Sequence, residues 1–124
     1  MNLLLDTHIL LWFLEDNTRL HNHLKELICN PENQIYLSSV SFAEMAIKAS
    51  IGKLIYPDDI TEICTNQGMN QLPFNSRHAL ALRELPYIHS DPFDRMLIVQ
   101  GIVDILSLVT QESIIGNYDL SVIM

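Results

Sequence analysis

The stretch Leu3-Leu4-Leu5-Asp6-Thr7-His8-Ile9-Leu10-Leu11-Trp12-Phe13-Leu14 decides how the rest of the chain reads. Three consecutive aliphatic residues fit a strand buried on both faces, as in parallel sheets. The run stops on a carboxylate and resumes at once as a second apolar stretch, so strand passes directly into helix with Asp6 at the junction. In open α/β folds such junctions lie on the carboxyl rim of the sheet, where ligands bind. The same grammar recurs at Leu106-Ser107-Leu108-Val109, which ends on Thr110-Gln111-Glu112 before another expected helix. Two strand ends therefore bring carboxylates to one edge.

Outward from there, period and punctuation predict a strand over residues 2–5, helices over 7–15 and 18–29, a strand over 34–38, and a helix over 41–51 closed by Gly52. A helix over 58–67 follows Pro57, then an extended piece at 70–73. Asn75 or Ser76 caps a helix reaching Leu85, where Pro86 stops it. Pro92 fits the first turn of a helix from Asp91 to Val103, followed by strands over 105–109 and 120–123. This alternation predicts a single α/β domain over residues 1–124, with a small parallel sheet flanked by helices on both faces.

Composition narrows the function. With 124 residues, 48% of them hydrophobic and 18% charged, the chain suits one packed domain and excludes disorder. No apolar run approaches the roughly 20 residues of a membrane span, and the N-terminus lacks a signal-peptide pattern, so a cytoplasmic location without membrane contact is expected. Cys29 and Cys64 have no metal or redox spacing and read as small buried side chains. A net charge of -8 excludes diffuse binding of polyanions by a basic surface. Any nucleic-acid role must work locally, through a few cations or through bound metal. Only 4 glycines are present and none forms a phosphate loop; no G-x-S-x-G elbow occurs.

Asp6, Glu44, Asp91, Asp94 and Glu112 each fall at or near an expected helix N-terminus, and a βαβ arrangement would gather those ends at one sheet edge. Two carboxylates about 5 Å apart at an effective dielectric near 20 repel by roughly 3 kcal/mol, so four together must take up protons or cations. All-oxygen ligation suits Mg²⁺ or Mn²⁺ rather than Zn²⁺. Each acid also has a purely structural reading. Ser41-Phe42-Ala43-Glu44 matches a capping box, Glu44 and Lys48 are an i,i+4 pair, and Asp6 and Asp91 suit helix caps. The five histidines have no metal-binding pair at i,i+4. His89, beside Asp91, is the one placed to orient a carboxylate or meet a phosphate. The helix 9–14 is apolar all round, which fits either burial on two sides or a face near Trp12 and Phe13 held for another chain.

Leu3-Leu4-Leu5-Asp6-Thr7-His8, Ser38-Ser39-Val40-Ser41 leading to Glu44 and Ala46-Ile47-Lys48, Gly52-Lys53-Leu54, and above all His89-Ser90-Asp91-Pro92-Phe93-Asp94-Arg95-Met96-Leu97 together resemble the PIN-domain family, in particular the VapC-type toxins of bacterial type II toxin-antitoxin systems. The resemblance runs from residue 2 to the C-terminus. It implies an endoribonuclease that works with Mg²⁺ or Mn²⁺, cuts RNA, is held inactive by a cognate antitoxin and forms a homodimer. Asp6, Glu44 and Asp94 match the family's three metal-binding acids, and Asp91 the additional acid of this subgroup. A fourth acid usually follows the strand-end threonine as Thr-x-Asp; here Thr110 is followed by Glu112, which keeps the charge and adds a methylene.

On that reading Asp6 and Asp94 anchor a metal ion, Glu44, Asp91 and Glu112 complete its surroundings, and a metal-activated water attacks the phosphodiester. Thr7, Ser39 and Thr110 are candidates to hold waters or a phosphate oxygen, and Arg95 or Lys48 to position the RNA backbone or pair with the acids. Trp12 and Phe13 would receive an apolar stretch of the antitoxin. A different class of reading is a catalytically weak module that acts mainly by binding a partner, to which the Glu112 departure and the apolar helix lend support. A phosphoryl-accepting receiver domain also gathers acids at strand ends, but it needs a lysine after its last strand, which Thr110-Gln111-Glu112 does not supply.

Overall fold

Leu3, Leu4 and Leu5 are fully buried and form β1 (Asn2–Leu5), the middle strand of a five-stranded parallel sheet. A computed structural model describes residues 1–124. The sheet order is β3-β2-β1-β4-β5, with β2 at Gln34–Ser38, β3 at Asn70–Leu72, β4 at Ser107–Val109 and β5 at Val122–Ile123. The connections are helical: α1 (Thr7–Leu14), α2 (Asn22–Cys29), α3 (Ser39–Ser50), α4 (Ile60–Asn66), α5 (Ser76–Ala81) and α6 (Pro92–Asp104).

Alternate side chains of β1 feed two cores, as a strand with period 2 requires. Leu3 and Leu5 pack with Ile9 and Leu10 of α1, Leu24 and Ile28 of α2, Met45 of α3, and Ile60 and Cys64 of α4. Leu4 faces the other way, against Leu97, Ile98 and Val99 of α6 and Leu108 of β4. Helices thus cover both faces. Strand order reverses between β1 and β4, the neighbours that pair Leu4 with Leu108 and Leu5 with Val109. Their carboxyl ends open the crevice in which α/β sheets bind ligands.

Several expected boundaries move. The helix expected over 18–29 begins only at Asn22, because Asn17 turns the chain by accepting the Arg19 N–H. The helix expected from residue 41 begins at Ser39, since the Ser38 hydroxyl accepts the Val40 N–H and caps it. The segment to Leu85 is helical to Ala81 and continues as a 3₁₀ turn over Leu82–Glu84, and the helix expected after Glu112 is a 3₁₀ segment, Ser113–Asn117. Cys64 is buried as expected, whereas Cys29, the last residue of α2, is exposed. No helix is long and apolar enough to cross a membrane.

Candidate active site

Asp6 leaves β1 with extended backbone and is 2% exposed. Its own N–H donates to the Val109 carbonyl at 3.0 Å, which locks the end of β1 to the end of β4. One carboxylate oxygen accepts the Ile9 N–H at 3.1 Å and so caps α1; the other accepts the Thr110 hydroxyl at 2.6 Å. Thr110 in turn accepts the Glu112 N–H, fixing where the chain goes after β4. Burial holds the Asp6 carboxyl above the ordinary carboxylate range, against the lowering effect of its Thr110 and Ile9 hydrogen bonds.

Glu44 is 4% exposed. Its Oε2 accepts Lys48 Nζ at 2.7 Å, the i,i+4 pair expected, whereas Oε1 is buried with no partner. An orphan carboxylate oxygen in a protein interior is costly unless a cation or a donor meets it. The capping box does not form. With the cap at Ser38, Glu44 lies in the second turn of α3 rather than near its N-terminus, and Ser41 is a buried interior residue that accepts the Thr7 hydroxyl at 2.9 Å. That bond ties the start of α1 to α3.

Asp91 caps α6 by accepting the Asp94 N–H at 2.9 Å, with Pro92 at the first helical position, as expected. Asp94 then points from the first turn to His89, whose Nε2 lies 2.7 Å from its Oδ2. The Asp94 carboxyl is pushed up to about 6, first by burial and further by the charges of Asp91 and Asp6, while the His89 hydrogen bond acts the other way. Ligand atoms of His89, Asp94 and Glu112 all lie within 4.8 Å of one another, so the longer glutamate does reach the cluster although its residue is exposed. The Lys48 ammonium is raised by its bond to Glu44 and also by the charges of Glu44, Asp91 and Asp94. These influences tie the acids at positions 6, 44, 91 and 94 into one electrostatic neighbourhood, which Glu112 joins by its proximity to Asp94, and the capping roles of Asp6 and Asp91 coexist with it.

Ser39 and Arg95, two of the other expected site residues, also hold the frame. Ser39 accepts the Phe74 N–H at 3.0 Å, joining α3 to the chain that leaves β3. Arg95 donates to the carbonyls of Leu85, Pro86 and His89 and to the Tyr118 hydroxyl, and its guanidinium lies 4.8 Å from the Tyr87 ring centre. It grips the segment that carries His89. Tyr118, absent from the sequence expectations, completes that grip by accepting the N–H groups of Ile88 and His89 at 3.1 and 2.7 Å. Its partners are 29 and 30 residues away, so no local pattern marks it. Trp12 and Phe13 are half-buried neighbours on α1 that pack against the same core. Trp12 lines a small cavity with Asp6 and Glu112, whereas Phe13 lines a separate pocket near Ile28, Gln34 and Met69.

Comparison with known proteins agrees with this geometry. The family model of the PIN domain matches residues 3–119. The fold is similar to that in the crystal structure of VapBC2 from Rickettsia felis bound to a DNA fragment from their promoter, with a TM-score of 0.71, 18% identity, and coverage of 99% of this chain and 98% of that one. It is also similar to FitAcB from Neisseria gonorrhoeae, with a TM-score of 0.64, 20% identity, and coverage of 98% of this chain and 96% of that one. At these identities the likeness is one of fold. No curated protein matches the sequence significantly.

Proposed function

The chain belongs to the PIN-domain family, whose members are generally nucleases, and from that premise we propose that it is a divalent-metal-dependent endoribonuclease, the toxin of a type II toxin-antitoxin pair. The observation that carries the metal-dependent part is the buried, partnerless Oε1 of Glu44 in the same neighbourhood as Asp6, Asp91 and Asp94. Such a set of hard oxygen donors under mutual repulsion fits Mg²⁺ or Mn²⁺. Asp6, Glu44 and Asp94 would hold the ion, with Asp91 and Glu112 at its margin. When bound, the ion supplies a Lewis acid that lowers the pKa of a water and neutralises charge on the phosphoryl oxygens.

The chain's own groups prepare that chemistry. Thr110 and the Ile9 N–H orient the two oxygens of Asp6, and His89 orients Asp94. Thr7 and Ser39 keep α1 and the β3–α5 connection seated against α3 and thereby hold Glu44 in the pocket. Lys48 neutralises one oxygen of Glu44 until a substrate phosphate competes for it. The likeness of residues 89–97 to VapC-type toxins supports RNA as substrate, a small antitoxin as partner and a homodimer as the assembled form. The alternative reading as a weak binding module draws on the Glu112 departure and on the apolar helix; the approach of Glu112 to Asp94 weakens the first of these supports.

The test is cleavage of assorted single-stranded RNAs in Mg²⁺, Mn²⁺ or chelator. Native protein should cut in either metal and not in chelator. Asp6→Asn should lose a hundredfold or more in rate, on the order of 3 kcal/mol of transition-state stabilisation. Undiminished cleavage by Asp6→Asn, or cleavage that survives chelation, would refute the metal-dependent assignment.

A further inference from the structure

Gly52-Lys53-Leu54 takes no part in the acid pocket, yet the fold brings Lys53 beside it. Gly52 adopts φ +74, and the Lys53 N–H returns to the Lys48 carbonyl at 2.9 Å, the C-terminal turn that glycine permits after a helix. This turn folds Lys53 back toward Lys48. Together they line an open cleft of about 240 Å³ whose other walls include Thr7, His8, Trp12 and Arg19. His8 and Trp12 also line the smaller cavity that contains Asp6 and Glu112, so cleft and acid pocket adjoin.

The chemistry of the cleft is unlike the rest of the surface. The chain has 7 Lys and Arg against 15 Asp and Glu, yet Arg19, Lys48 and Lys53 all face this one space, with Glu15 the acid at its edge. The side chains of Arg19 and Lys53 are exposed and take part in none of the molecule's ion pairs. The His8 and Trp12 rings lie with centroids 5.8 Å apart at 34°, a partly exposed aromatic pair between the acids and the cations. Free cations beside an aromatic surface are what an extended single-stranded nucleic acid needs: phosphate neutralisation and a stacking platform. The cleft is smaller than the roughly 300–1,000 Å³ pockets of drug-sized ligands, which suits one nucleotide of a longer chain.

We propose that the cleft between α1 and the α3 C-terminal turn is a nucleotide subsite next to the scissile position, in which Trp12 with His8 stacks a base and Lys53 with Arg19 holds the non-scissile phosphate beside it. The assignment to RNA rests on the nuclease reading above; the cleft's affinity for an oligonucleotide does not. Trp12 is the protein's one tryptophan, so its fluorescence reports occupancy. An unstructured hexaribonucleotide added to Asp94→Asn protein in Mg²⁺, where nothing is cut, should quench it saturably. Adding Arg19→Ala with Lys53→Ala should weaken binding about tenfold or more and flatten the salt dependence by about 0.7 log units for each phosphate no longer neutralised. Lys53→Arg should retain affinity.

In the otherwise native chain, the paired alanine changes should raise KM for RNA with little change in kcat. They should leave hydrolysis of bis(p-nitrophenyl) phosphate, too short to reach the cleft, unaltered. If native protein cuts neither substrate while quenching persists and obeys the variants, the nuclease reading falls and the subsite stands. Absence of quenching, quenching insensitive to both alanine changes, or equal loss on both substrates would overturn the subsite. Quenching by hexaglutamate and not by the oligonucleotide would also overturn it and assign the cleft to an acidic peptide.

Discussion

Asp94 concentrates the site's electrostatics in one side chain. Its folded pKa of about 6 exceeds the ordinary 3.8, so the native state holds a proton that the unfolded chain has released between those values. The contribution of Asp94 to stability without metal therefore falls as pH rises from about 4 through about 6, because at this side chain the native state binds more protons there. Asp94→Asn removes the charge and keeps an acceptor for His89. Above pH 6 in chelator it should be more stable than the native protein by on the order of 1–3 kcal/mol, and below pH 4 nearly equal to it. Urea titrations at pH 4 and 7.5 measure this, and a variant less stable at both would show that the carboxylate is not repelled. The same variant should have lost RNA cleavage, the stability-for-function exchange expected where like charges are gathered for catalysis. Metal should bind native protein more tightly at pH 7.5 than at 5, since the ligand must lose its proton.

The segment 85–91 is irregular backbone held by two side chains, and through His89 it governs Asp94. Tyr118→Phe would leave the Ile88 and His89 N–H groups without their acceptor and deprive Arg95 of a hydrogen-bond partner. A loss of about 1–3 kcal/mol in stability is expected. Cleavage at saturating RNA should fall several-fold, because His89 loses its anchor while the acids stay in place. A stability loss without any change in kcat would mean that the segment does not set the geometry of Asp94. This grip was illegible in the sequence, since Tyr118 accepts from backbone groups 29 and 30 residues away and Arg95 reaches carbonyls of irregular backbone that no periodic spacing marks. The helix starts that relied on side-chain caps were legible where the cap stood at the apolar boundary, as at Asp6 and Asp91. At α3 two serines competed, and Ser38 prevailed because it ends β2 and so already has extended backbone. Ser41 lies one turn inside, where its hydroxyl meets Thr7 instead.

For the molecule as a whole, alternation of strands and helices was enough to anticipate the layers, because buried parallel strands must read as continuous apolar runs. The order of strands was not legible, yet it is what puts Asp6 and Thr110 on adjacent strand ends at the reversal. A net charge of -8 with several acids at one rim makes the metal-free protein self-repelling. An ion bound only by the folded chain contributes RT ln(1 + [L]/Kd), about 2.7 kcal/mol at a hundredfold excess over Kd, or a rise of very roughly 10 °C in Tm for a domain of this size. Sodium chloride at matched ionic strength should raise Tm far less, since buried carboxylates lie beyond the reach of screening. Thermal melts in Mg²⁺, in Mn²⁺ and in matched salt therefore separate site binding from diffuse screening. The divalent increment should vanish in Asp6→Asn and persist in Arg19→Ala with Lys53→Ala, whose side chains lie outside the acid pocket. An increment that sodium reproduces, or that survives Asp6→Asn, would mean that the acids share a rim without sharing an ion.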